Sequence, residues 1–226
     1  PGIEIDCSFQ GVDLHLLGYD VDPEDPVLAA IEENVRRQSQ SSSIRRLELV
    51  RELGFDLAPE ELDAVTGGGY WQHEWPGEAI AEVLLAREDY RDHPLLAPYR
   101  PGGARSDNPY VNFYWDYCSQ GKPCFAPMEF PTLAQAIEDV HRAGGVAVLA
   151  HPGNNLAGRF SLLEEMLPLG LDGVEAFSSY HTPEVNRYFW EKAQEHGLLA
   201  TCGSDFHGKN KPRIFLGSCG CTPQER

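Results

Sequence analysis

The chain has 226 residues, 42% of them hydrophobic, enough for one sizeable core and an appended subdomain. Its 35 acidic residues against 18 basic ones leave a net charge of −17, which argues against a basic surface that grips long nucleic acid. No apolar run reaches the roughly 18 residues of a membrane-spanning helix, so no membrane partner is expected. The N-terminus shows no basic region followed by an apolar stretch, and it opens on Pro1 as if inside a strand. The natural chain is therefore expected to start earlier. The six cysteines include no Cys-x-x-Cys pair, and Cys219-Gly220-Cys221 has no visible metal-binding partner. They read as free thiols of a cytoplasmic protein.

Taken in order, Ile3, Ile5 and Cys7 alternate with Glu4 and Asp6, which predicts a strand with one polar face. The turn Gln10-Gly11 leads to a second apolar strand over 12–19 that carries His15, and the pair reads as a hairpin. Adjacent strands would let Glu4 and His15 meet. Asp25 followed by Pro26 opens a helix, and a second helix is expected from Ser42 to Gly54. Short helices follow at 59–65 and about 78–87. Residues 90–128 read as an irregular, aromatic stretch, too long for a passive loop and too aromatic for disorder. The aromatic run 113–117 reads as core of this stretch more readily than as a base-stacking platform. Beyond it come a helix at 132–144, a strand ending at His151, a helix at 161–167, a strand at 173–177, a helix at 183–196 and a strand at 198–202. This alternation predicts parallel βα units.

Two of these strands end on metal-type ligands. Gly144 to Ala150 is an apolar run that stops at His151-Pro152-Gly153. Leu199 to Gly203 runs into Ser204-Asp205-Phe206-His207, whose carboxylate and imidazole lie two residues apart and lean to one side of an extended backbone. Oxygen and nitrogen donors of this kind suit a divalent transition metal. Such strand ends resemble the active face of a barrel. The bland alternatives are a polar turn at Asp205, a buried hydrogen-bonded His151 and a solvated Glu4. His73, His93, His141 and His196 read as surface residues.

Five pieces in order resemble the PHP family, named for polymerase and histidinol phosphatase, in its stand-alone metal-dependent phosphoesterase branch. They are Gly2-Ile3-Glu4-Ile5, the 12–18 segment around His15, 144–152 around His151, 170–175 ending at Glu175, and 203–208 with Asp205 and His207. The resemblance covers most of 1–22 and 129–218. It implies an α/β fold, a distorted (β/α) barrel of the PHP type with a helical insertion. The corresponding division is 1–22 and 129–226 for the barrel and 23–128 for the insertion.

Carried over by this resemblance, Glu4 would bridge two metals, His15 and His151 would complete one position, Asp205 would serve a second and His207 a third. The metals implied are two or three divalent ions of manganese, iron or zinc. The family's opening His-x-His strand, with the Asp and His that follow it, is not in this sequence. Trp71-Gln72-His73 stands where relatives carry Arg-Pro-His.

The expected chemistry is metal-assisted hydrolysis of a phosphate ester on a small phosphorylated metabolite, nucleotide or short oligonucleotide. Arg105, in the Gly-rich loop, is the candidate phosphate clamp, with Lys209 and Lys211 behind it. His207 or His181 is the candidate proton shuttle. The alternatives are a metal-dependent amidohydrolase and a non-catalytic, degenerate metal-binding domain.

Overall fold

The structure, a computed structural model, describes residues 1–67, 69 and 72–221. Trp71 of the expected departure therefore lies outside the described residues. Contacts divide the chain into two units. The first holds Pro1–Ile31, Phe130–Phe206 and the C-terminal segment from Ile214; the second holds Glu32–Glu129 and His207–Arg213. The division falls inside a helix instead of at residue 23, and 207–213, expected with the barrel, groups with the insertion. Helices α1 to α8 are Pro26–Glu52, Pro59–Thr66, Gly77–Ala86, Pro109–Phe113, Leu133–Arg142, Pro152–Asn155, Leu162–Met166 and Pro183–His196. No helix among the described residues is long and apolar enough to cross a membrane.

The first unit is built on a five-stranded mixed sheet in the order β1-β2-β3-β4-β5. Strands β1 (Gly2–Phe9) and β2 (Val12–Tyr19) form the hairpin, with Asp6 directly opposite His15. The turn fits its residues: Gln10 has φ 49° and Gly11 φ 74°, the two positive values that a two-residue type I′ turn demands. Alternation then sends Ile5, Cys7, Val12, Leu14 and Leu16 into the core and leaves Glu4, Asp6 and His15 on the opposite face. Strand β3 (Val146–Leu149) joins β2 antiparallel, whereas β4 (Gly173–Ser178) and β5 (Leu199–Gly203) add in parallel.

The parallel part follows the expected βα alternation. Helix α5 is capped by Thr132, whose hydroxyl accepts from the Gln135 N–H, and it buries Leu133, Ala136, Ile137 and Val140 along one face. Helix α8 starts at the Thr182 cap, stops at Gly197 in the left-handed region and buries Phe189 and Ala193. Both helices pack on the apolar sheet face. Between Glu175 and Phe177 the β4–β5 register slips by one residue, a bulge beside the polar cluster.

The second unit has its own core of Leu47, Val50, Phe55, Leu57, Leu62, Trp75, Ile80, Leu84, Leu96 and Phe113. The two helices expected at 25–38 and 42–54 are one helix of 27 residues. The serines at the expected break are consumed by tertiary bonds. Ser43 Oγ accepts from the Trp75 N–H at 2.7 Å, and Ser42 Oγ donates to the Ala126 carbonyl. The buried Arg46 adds a bond to the Trp75 carbonyl at 2.8 Å. The aromatic stretch is core, as expected, at Phe113, which stacks on Tyr117 at 4.8 Å; Trp115 is exposed.

Candidate metal centre

The hairpin places three polar side chains on one face. His15 Nδ1 lies 2.8 Å from Glu4 Oε1, and His15 Nε2 lies 3.1 Å from Asp6 Oδ1. Glu4 and His15 are diagonal partners across the hairpin, because Glu4 pairs with Leu17 and Asp6 with His15. The same Glu4 oxygen meets His151 Nε2 at 3.4 Å, and the His15 and His151 rings sit edge to face with centroids 4.9 Å apart. One ligand atom from each of Glu4, His15 and His151 falls within 4.8 Å of the others.

His151 arrives from the end of β3 with φ 23°, a strained value for a side-chain-bearing residue and one that clusters at functional sites. Its Nδ1–H donates to Asn155 Oδ1 at 2.6 Å, one turn along α6, and Asn155 is itself anchored to the Asp13 carbonyl. That bond makes Nδ1 the donor toward Asn155 and points Nε2 at Glu4: without a cation Nε2–H donates to the carboxylate, and loss of that proton frees the nitrogen for a metal. The His151 N–H donates to Glu175 Oε2 at 2.9 Å. Glu175 is 4% exposed. The room for it comes from Gly203, where a Cβ would lie 2.0 Å from Glu175 Oε1. Asp205 follows two residues later with φ 51°, and its carboxylate accepts the Tyr180 hydroxyl.

The electrostatics divide the carboxylates. Hydrogen bonds from His15 and His151 hold the Glu4 carboxyl well below the usual range, against the effect of burial. Burial pushes the Asp6 and Glu175 carboxyls up. Burial alone would lower the His151 imidazole, but the Glu4 bond and the charges of Asp205, Glu175 and Glu4 leave it raised. Glu4 and Asp6 lie against the two imidazoles, and the charges of Glu175 and Asp205 also act on His151, an acidic surrounding that favours a cation.

Other expected residues are differently placed. Arg105 gives its fork to Asp116, with Nε to Oδ2 and an NH group to Oδ1, each at 3.0 Å. Tyr99 also donates to that carboxylate at 2.7 Å, so the guanidinium expected as a phosphate clamp is occupied by a neighbour in its own unit. His181 accepts the Gly153 N–H on Nε2 at 2.9 Å and donates from Nδ1 to the Ala176 carbonyl at 3.1 Å. Both nitrogens are thus tied to backbone. His207 belongs to the second unit, where its charge bears on Glu78. Lys209 pairs with Glu82 at 2.7 Å.

Sequence reasoning missed Asp6, Glu175, Asn155 and Tyr180 as site residues. Asp6 was findable, since it is two residues from Glu4 on an alternating strand. Glu175 stood at the end of a matched piece without a role. Asn155 and Tyr180 carry no signal of their own in the sequence.

No family model matches the sequence. The chain is 30% identical over 210 residues to a 3′,5′-nucleoside bisphosphate phosphatase of Chromobacterium violaceum, covering 91% of this chain and 66% of that protein. It is 29% identical over 213 residues to a phosphoribosyl 1,2-cyclic phosphate 1,2-diphosphodiesterase of Eggerthella lenta, covering 92% and 72% respectively. It is 26% identical over 220 residues to the 5′-3′ exoribonuclease Rnm of Escherichia coli, covering 96% and 68%. The chain thus spans about two thirds of the length of these curated relatives.

Among solved structures, a protein assigned as a metal-dependent phosphoesterase from Bifidobacterium adolescentis superposes with a TM-score of 0.71 at 27% identity, covering 96% of this chain and 71% of that one. An amidohydrolase from Chromobacterium violaceum gives a TM-score of 0.72 at 23% identity, a likeness of fold alone, over 95% of this chain and 70% of that one. Over more than nine-tenths of its length, then, the chain is similar to bacterial proteins named for phosphoester hydrolysis.

Proposed function

We propose that this chain is a metal-dependent phosphoester hydrolase of the PHP family, its five strands part of a PHP-type barrel. The carrying observation is the convergence of Glu4, His15 and His151, with one ligand atom of each inside a 4.8 Å cluster. The donor set fits a divalent transition metal: carboxylate oxygen, neutral imidazole nitrogen, and a His151 tautomer fixed by Asn155. A metal held there supplies Lewis acidity toward a phosphoryl oxygen and positive charge for an anionic substrate.

The chain's own residues do the rest. Glu4 offers one oxygen to both histidines, and Asp205, held by Tyr180, adds a second carboxylate. Glu175 holds the His151 backbone in its strained turn. The resemblance implies a metal-ligand role for His207, two residues past Asp205 in the sequence. The substrate class we favour is a small ribose phosphate: a nucleoside bisphosphate, a cyclic phosphate or a short oligonucleotide. The relatives' names and the net charge of −17, unsuited to long nucleic acid, support it.

The test pairs elemental analysis with a panel of phosphate esters and amides. Wild type purified without chelator is expected to carry a transition metal and to turn over phosphate esters. Glu4→Gln and Asp205→Asn are expected to lose both while keeping the circular-dichroism spectrum. A metal-free wild type, or full turnover by both variants, rejects this function; amide turnover without ester turnover rejects the substrate class.

A further inference from the structure

The Cys219-Gly220-Cys221 pair, without a partner in the sequence, acquires one in the fold. Cys202 lies on β5, beside the strand's last residue, Gly203. The segment after Ile214 folds onto the first unit through a tight turn. The Ser218 N–H donates to the Phe215 carbonyl and the Cys219 N–H to that of Gly217, both at 3.0 Å. Gly217 and Gly220 take φ of 83° and 74°, which a side chain would strain. Gly220 lies so close to α8 that a Cβ would meet Asn186 Nδ2 at 3.1 Å.

This turn sets the Cys219 and Cys221 sulfurs 3.2 Å apart and brings the sulfurs of Cys202, Cys219 and Cys221 within 4.8 Å of one another. Cys219 is buried, Cys221 half-buried and Cys202 exposed, and none is in a disulfide.

Three sulfurs within 4.8 Å of one another, two of them at 3.2 Å, bracket the spacing of a coordination sphere. Ligands about 2.3 Å from a tetrahedral zinc lie about 3.8 Å from each other. A disulfide would satisfy two of the sulfurs, at about 2.05 Å, and leave the third over. Thiolate sulfur is also a different class of donor from the oxygen and nitrogen of the Glu4 cluster.

We propose that Cys202, Cys219 and Cys221 form a second metal site that takes one zinc(II) on three thiolates, the fourth position being open to water or another donor. Each thiol releases its proton to solvent as its sulfur binds, so three S–H bonds are exchanged for three metal–sulfur bonds. Without a cation Cys202 holds its proton: burial and the two neighbouring thiols push its thiol up to about 12. The site clips the C-terminal segment to β5, the strand that runs into Asp205. It stands on its own geometry and does not depend on the phosphoesterase reading.

The experiment is a cobalt(II) titration of the reduced, chelator-treated full chain. Thiolate-to-cobalt charge-transfer absorption in the near ultraviolet is expected to saturate at one equivalent and to be bleached by zinc. Carboxylate and imidazole ligands give no such band, so Glu4→Gln keeps it. Cys202→Ser, at the exposed position where folding is safest, is expected to weaken the band severalfold, and the triple Cys→Ser variant to abolish it. Zinc should raise the melting temperature of wild type more than that of Cys202→Ser. Absence of the band in wild type, its survival in the triple variant, or its loss in Glu4→Gln overturns the proposal. So does an intact native mass two hydrogens low with no cobalt band after reduction, which assigns the cysteines to a disulfide.

Discussion

A Cβ on Gly203 would lie 2.0 Å from Glu175 Oε1, a distance that no rearrangement of the strand alone can relieve, because β5 is paired to β4 on that side. Gly203→Ala should therefore displace the carboxylate that holds the His151 N–H. A loss of about 1–3 kcal/mol, typical of overpacking, is expected in denaturant titration. Metal content should fall with it; an unchanged midpoint would mean that Glu175 has another place to go. Asn155 acts one bond further out, by fixing the His151 tautomer. Asn155→Ala should weaken metal binding by about 10–100-fold, the usual effect of removing such an outer partner, with little change in stability. Competition with a metal indicator reads this directly. Arg105 should behave in the opposite way. Its bond to Asp116 is bidentate, but both side chains are more than a third exposed, so solvent screening limits its worth to about 1 kcal/mol or less. Arg105→Ala should lower the melting temperature slightly and leave metal content intact. The sequence showed Arg105 and His181 as available groups because a residue's type states what it can bind. It does not state that Asp116, or the backbone of Gly153 and Ala176, has already claimed it.

Local pattern decided the elements wherever their determinants were local. The hairpin is written in the alternation of 3–7 and in Gln10-Gly11. The α5 and α8 starts are written in Thr132 and Thr182-Pro183, whose hydroxyls cap the next turn. The sequence predicts a second helix starting at Ser42 where the fold has the single helix α1, because serine is a weak helix former that competes with the backbone. What keeps the helix intact is Trp75, whose N–H bonds to Ser43 Oγ from 32 positions away. Ser43→Ala improves intrinsic helix propensity by a few tenths of a kcal/mol. It also leaves a buried N–H unpaired at a cost of about 1–3 kcal/mol. The second effect is larger, so the variant should be less stable than wild type in urea; greater stability would show that propensity governs here. The β4 bulge was equally hidden, since a register slip belongs to two strands and not to either sequence alone.

At the scale of the whole molecule, the charge of −17 and the four carboxyls around His15 and His151 make stability without metal a matter of pH. The Asp6 and Glu175 carboxyls are raised in the fold, so what they contribute is present below their unfolded values and lost as pH rises through their folded ones. His151 is also raised; its contribution is complete below 6.5 and lost as pH climbs through the higher folded value. Glu4 is depressed, so its contribution is lost only as pH falls through a value far below the working range. Asp6, Glu175 and His151 therefore run one way between mild acid and mild base, weakening the metal-free fold as pH rises, while the single imidazole of His181, lowered by burial, runs the other way. Metal binding runs against this, because it needs deprotonated carboxylates and neutral imidazoles and strengthens with pH. A ligand at 100 times its dissociation constant adds about 2.7 kcal/mol. The melting-temperature gap between metal-loaded and chelator-treated protein should therefore widen steadily from about pH 5.5 to about pH 8. Scanning calorimetry across that range checks it. In Glu4→Gln, which removes the negative charge shared by both histidines, the gap should stay small at every pH. A gap that narrows with rising pH in wild type would mean that the carboxyl cluster is satisfied by protons and not by a cation.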